Sequence, residues 1–180
     1  HIKRHIPDDA HAVLIDVTSA YGVLSLMGPR SRQILEAAAE GEVSAEAFPF
    51  FTAQEIQIGG APVRALRVTY MGELGWELHI PTEYMLTVYE TLSEVGAAFG
   101  LVEAGYRAID SLRLEKGYRA WAADIGPDYT PLEAGLGFAV AFDKTADFIG
   151  RDALLRQRDA PLAKRLVTLT AEDDPELLLT

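Results

Sequence analysis

The chain has no cysteine among its 180 residues. That removes disulfides, thiolate metal sites and cysteine nucleophiles, and it fits a reducing compartment, so a cytoplasmic location is expected. No apolar run approaches the roughly 18 residues a membrane-spanning helix needs, and the N-terminus lacks a signal-peptide core. Positive charge is scarce: 16 Lys and Arg face 27 Asp and Glu, a formal net charge of −11. A nucleic-acid surface needs a basic face and is set aside, whereas an anionic ligand held by a few local cations is not. No Gly-x-Gly-x-x-Gly flavin fingerprint occurs. His1, His5 and His11 lie near one end without a placed carboxylate partner, so no metal site is expected. No initiator methionine opens the chain, which reads as a piece of a longer protein.

What is present is the balance of a soluble globular protein, 49% apolar and 24% charged, with enough chain for one core or one core and the start of another. Its organising stretch is Thr69-Tyr70-Met71-Gly72-Glu73-Leu74-Gly75-Trp76-Glu77. A β-rich run, Val63 to Thr69, enters it and Trp76 to Ile80 leaves it, while Gly72 and Gly75 bracket a polar turn. Two carboxylates, Glu73 and Glu77, stand beside two aromatics, Tyr70 and Trp76. A carboxylate accepts from ring N–H and NH2 groups and an aromatic covers a ring face, which suits a flat, nitrogen-rich ligand. A plain hairpin with solvated glutamates fits the same spacing.

Around this stretch the periodicities predict strands over Ala12–Val17 and Gly22–Met27, then a helix opened by Gly28-Pro29-Arg30-Ser31 and running to about Glu40 with Ile34, Leu35 and Ala38 inward. Phe48 to Phe51 are expected to pack under the core. Gln54–Ile58 and Val63–Thr69 form a hairpin around Gly59-Gly60. A helix follows Pro81, with Thr82 as N-cap and Met85, Leu86, Val88, Tyr89, Leu92 and Val95 at helical spacing. Another runs from Arg107 to about Lys116, a last one starts after Asp147, its expected cap, and Lys164–Thr170 reads as a strand.

Tyr-x-Gly-Glu-x-Gly-aromatic-Glu resembles the signature of the folate-binding aminomethyltransferase family, which includes the glycine-cleavage T-protein. Three further segments match in order: GYRAIDSLRLEKGYRAW after Ala104, Pro131-Leu132-Glu133-Ala134-Gly135-Leu136, and Phe148-Ile149-Gly150-Arg151-Asp152-Ala153-Leu154. The first of these looks most like the sarcosine and dimethylglycine dehydrogenase branch. The resemblance implies an α+β fold, mixed or antiparallel sheets with helices around a central cavity. Residues 1–160 would be the central part of the folate-binding domain and 161–180 the start of a C-terminal β-barrel, with truncation at both ends. It implies tetrahydrofolate as cofactor, held by Tyr70 and Glu77, with Phe138 and Trp121 facing the cavity. FAD is expected only on a separate flavoprotein domain, which oxidises a small methylated amine to an iminium that the folate domain captures as methylenetetrahydrofolate. The family's catalytic aspartate would lie outside this chain, so Asp16 and Asp110 take no such role and the piece alone is expected to be inactive. T-proteins commonly carry an arginine just before the aspartate of the helix block; here that place holds Ile109. A free-standing aminomethyltransferase, a folate-dependent demethylase and a non-catalytic folate-binding module stay open.

Overall fold

A computed structural model describes residues 1–169. Its contacts group the chain into two compact units, His1–Asp110 and Ser111–Thr180.

The first unit is built on an antiparallel sheet. Its strands are β1 (Tyr21–Met27), β2 (Ala39–Glu40), β3 (Ala53–Ile58), β4 (Ala61–Leu66) and β5 (Gly75–Pro81), in the order β1-β5-β4-β3-β2. Alternation decides which face is which. On β5, Trp76, Leu78 and Ile80 are buried while Glu77 and His79 are half-buried; on β4, Ala61, Val63 and Ala65 are buried while Pro62 and Arg64 are exposed. The buried face is covered by α1 (Ser31–Ala38) and α2 (Met85–Ala97), which contribute Ile34, Leu35, Val88 and Leu92 to one core with Phe48, Ile56 and Ile58. Each such side chain taken out of water contributes about 1.5–3 kcal/mol before entropy is counted. β3 and β4 turn on Gly59 and Gly60, with φ of 59° and 75°, the left-handed pair that a two-residue hairpin of this twist requires.

The division between the units falls within α3 (Tyr106–Glu115). The second unit goes on through loops, a short 3-10 turn at Gly137–Ala139 and α4 (Arg151–Arg158). Two of its buried side chains, Arg113 and Glu133, are charged. Arg113 is buried and pairs with Asp124, while also donating to the Tyr118 carbonyl at 3.2 Å. Asp124 Oδ2 accepts as well from the Ala120 amide at 2.9 Å. Glu133 and Thr130 cap each other: Glu133 Oε2 accepts from the Thr130 amide and hydroxyl, both at 3.0 Å, and the Glu133 amide donates to Thr130 Oγ1 at 3.2 Å. That backbone bond is the main reason the Glu133 carboxyl is held below its ordinary range.

Several expectations give way. Ala12–Val17 forms no strand, and Val13, Leu14, Ile15 and Val17 are exposed, because apolar β-formers need a neighbouring strand and none pairs with them. The first helix stops at Ala38 because Ala39–Glu40 turn to pair with β3. Of the phenylalanines at 48, 50 and 51 only Phe48 enters the core; Phe50 and Phe51 stack edge to face on the surface. Thr82 is not an N-cap: its hydroxyl donates to the Ser19 carbonyl at 3.0 Å, a 3-10 turn (Thr82–Tyr84) precedes α2, and Tyr84 holds the cap position. Leu86 and Tyr89 lie outside the apolar stripe of α2, Tyr89 bonding Glu103 instead, which pushes its hydroxyl pKa up. Asp147 accepts from the Phe148 amide at 2.8 Å, ahead of α4 rather than at its cap, which is Gly150. Residues 164–169 carry no strand; Thr170 and the acidic end lie outside the described residues. Among the described residues no helix is long and apolar enough to cross a membrane.

Candidate functional site

The organising stretch is the link from β4 to β5. After Leu66 the chain leaves the ladder, bends through Arg67 to Leu74, and re-enters the sheet at Gly75. Its far end is pinned to the start of α1: the Leu74 carbonyl accepts from the Gly28 amide at 2.8 Å and from the buried Ser31 hydroxyl at 2.9 Å. The Gly28-Pro29-Arg30-Ser31 corner is thus structural and braces the loop. Gly75 is needed for close approach. A Cβ there would overlap the Leu26 carbonyl oxygen and the Met27 sulfur, at the Met27–Gly75 pair that ends the β1–β5 ladder.

Once β5 begins, the two-residue period sorts the motif onto opposite faces. Trp76 goes wholly inward, with Phe48 edge-on at 5.9 Å and the guanidiniums of Arg32 and Arg67 at 5.1 and 5.9 Å from its ring centre. Burial and the nearby Arg32 charge push the Arg67 pKa down. Trp76 is therefore a core residue and does not share a ligand face with Glu77, contrary to the expectation from their proximity in sequence. The sign of the alternation was readable; the direction of the core was not.

Glu77 projects from the other face, which α1 and α2 leave uncovered. It is paired with Ser25 of β1 on one side and Leu66 of β4 on the other, and its side chain is 33% exposed. His79, two residues on, shares that face, is equally exposed, and stands between Val23 and Arg64. Its Nε2 lies 3.8 Å from Glu77 Oε2. Arg64 is tied away to Glu55 at 2.7 Å. The sequence reading missed His79, although the same period of two from Glu77 points to it. Tyr70 sits on the bend, 36% exposed, and the Met71 amide is held by Thr69 Oγ1 at 3.2 Å. Glu73 is exposed on the same bend. The arrangement is a carboxylate acceptor on an inner strand paired along both edges, with an aromatic on the loop preceding it.

The other two expected residues belong to the second unit. Trp121 is 68% exposed on a tight loop whose next residue, Ala122, holds φ 70° while its amide donates to the Ile125 carbonyl at 2.8 Å. The left-handed Ala122 sits beside the Asp124 network, whose carboxylate takes the Ala120 amide and the Arg113 guanidinium. Phe138 is 82% exposed on the short turn at Gly137–Ala139. Asp16 is spent locally: it accepts from the Thr18 hydroxyl at 2.6 Å and amide at 2.9 Å, which hold its pKa down. Among the described residues no cluster of His, Cys, Asp and Glu is arranged to hold a metal ion.

Residues 1–144 match the GCVT N-terminal domain. The chain belongs to that family. It is similar to the mitochondrial sarcosine dehydrogenase of Mus musculus, 47% identical over 97% of this chain and 19% of that protein. It is also similar to the mitochondrial dimethylglycine dehydrogenase of Mus musculus, 40% identical over 88% of this chain and 18% of that one. Among solved structures, the glycine cleavage system aminomethyltransferase T from Bartonella henselae superposes with a TM-score of 0.64 at 30% identity, over 77% of this chain and 37% of that one. This GCVT N-terminal domain thus spans about a fifth of the length of the two dehydrogenases. The α+β fold with an antiparallel sheet, and the relation to the sarcosine and dimethylglycine dehydrogenases, stand as expected.

Proposed function

We propose that this GCVT N-terminal domain binds tetrahydrofolate and serves one-carbon capture in an enzyme of the sarcosine or dimethylglycine dehydrogenase kind. The observation that carries the reading is Glu77: an acceptor-only group on the inner strand β5, partly exposed on the open sheet face. It fits a flat ring that presents N–H and NH2 donors side by side, since a carboxylate takes two such bonds in one plane. Its backbone is fixed on both sides by β1 and β4, so little ordering entropy remains to be lost on binding. Tyr70 would line the ring from the braced loop.

Bound tetrahydrofolate supplies the nucleophilic nitrogen that accepts the one-carbon unit. The chain's own residues orient it. Holding that nitrogen toward the electrophile removes an entropic cost that reaches several kcal/mol in favourable cases. FAD would belong to a separate flavoprotein domain, the substrate would be a small N-methylated amine, and residues 161–180 would begin the barrel. Ile109, in place of the arginine common in T-proteins, favours the dehydrogenase branch over a free-standing aminomethyltransferase. Both mouse dehydrogenases are mitochondrial by name, which lends the cytoplasmic expectation no support.

The test is product partition in the protein that carries this chain, turning over an N-methylglycine with tetrahydrofolate present. Capture predicts methylenetetrahydrofolate from the natural sequence, and free formaldehyde in its place from Glu77→Ala at an unchanged rate of amine oxidation. An unaltered partition in Glu77→Ala would remove the assignment.

A further inference from the structure

The open face of β5 carries a second polar group with no role so far. His79 Nε2 is shut off from solvent and, among the described residues, has no hydrogen-bond partner. A buried N–H or ring nitrogen left alone is costly, and folded proteins seldom leave one so. Its surroundings offer few acceptors. Across β1 stands Val23, across β4 stands Arg64, a donor occupied by Glu55, and the next residue outward on β1 is Ser25. The acidic group that faces it is Glu77, whose Oε2 is 3.8 Å from Nε2. A small rotation of either side chain closes that gap to hydrogen-bond distance.

We infer that His79 is a positioning residue: its Nε2–H donates to Glu77 Oε2 and sets the plane of the Glu77 carboxylate for a ligand. The bond occupies one lone pair and leaves Oε1 and the remaining Oε2 lone pair directed off the sheet, where a donor–donor ring edge is received. It works as second partners of ligating groups commonly do, fixing an orientation the ligand then finds ready-made. The strand geometry makes this specific, because residues two apart on one face cannot drift past each other while both edges of β5 are paired. This rests on the folate reading for the identity of the ligand, but the His79–Glu77 contact itself does not.

Two measurements separate those layers. The chain has four histidines, and the other three fall within its first eleven residues, so labelling histidine with 15N gives one signal from the sheet. That signal, assigned by its loss in His79→Phe, is expected to show Nε2 protonated and to shift in Glu77→Gln; an unmoved signal overturns the inference. The second is equilibrium binding of tetrahydrofolate to the protein that carries this chain. His79→Phe is expected to weaken binding about three- to ten-fold, the effect of one ordinary net hydrogen bond, and His79→Gln, which keeps a donor, to restore much of it. In a Glu77→Ala background His79→Phe should add nothing. Equal losses in both backgrounds would show that His79 acts on its own and overturn the positioning role. Absence of tetrahydrofolate binding with the 15N shift intact would instead overturn the folate reading and keep the contact.

Discussion

The two units of this chain are held by different physics. The first rests on a continuous apolar core in which Trp76, Phe48, Leu35, Ile58, Leu78 and Ile80 are all buried between one sheet face and two helices. In the second, the buried residues among those described are Arg113, Glu133 and Ala134, and the order comes from a guanidinium–carboxylate pair, a reciprocal cap and carbonyls gripped by Arg119. The contrast shows in the large side chains. Trp76 is wholly enclosed, whereas Trp121 and Phe138 stand out in solvent. Apolar burial is non-directional and tolerant, while a polar scaffold depends on each partner being present. The proposed ligand group of the first unit sits on the rigid side of that contrast, on a strand paired along both edges.

The largest expected effect strikes the core. Trp76→Ala should lower stability by ~3–5 kcal/mol, since it empties the space between Phe48 and the Arg32 and Arg67 guanidiniums. Urea unfolding followed by circular dichroism measures it, and a loss below about 1 kcal/mol would deny Trp76 its place in the core. In the second unit the counterpart is Arg113→Met, which keeps length and apolar stem but leaves Asp124 without its cation. About 2 kcal/mol should go, seen as lost hydrogen-exchange protection at Ala120 and Asp124. If those amides stay protected, the unit is held by packing after all and the contrast fails.

The smallest effect is one of pH. Glu133 has its folded pKa lowered from the ordinary 4.5 mainly by the Thr130 amide. A group shifted this way stabilises the fold above its unfolded pKa, and the contribution fades as pH falls through the lower folded value. Acidification below about 4.5 should therefore release the Thr130 and Glu133 amides to exchange in the natural chain, and Glu133→Gln should flatten that dependence. Matching acid profiles in the two chains would mean the cap does not hold the turn.

The same contrast explains what could be read in advance. In the first unit the elements announce themselves: Gly59-Gly60 between two alternating runs predicts the β3–β4 hairpin, and Ile34 with Leu35 marks the inward side of α1. What failed there needed a partner to decide it. Ala12–Val17 has strand composition and no strand beside it, and Thr82 has a cap's chemistry but a closer acceptor in Ser19. At the site, Tyr70 and Glu77 were legible from the motif, but Trp76 and Glu77 part company only once the helices settle on one face. His79 needed the register of three strands to stand out. The second unit was read through resemblance, because a network such as Arg113–Asp124–Ala120 leaves no period in the sequence.

The central claim is that Glu77 receives the ring of a reduced folate. Trp76 lies on the other face of β5 and is a poor reporter, so the direct measurement is calorimetric titration with tetrahydrofolate of the natural protein and Glu77→Gln. The substitution keeps size but removes the charge and turns one acceptor into a donor. The account predicts saturable binding that Glu77→Gln weakens by roughly ten-fold or more. Equal affinity in the two proteins would contradict it.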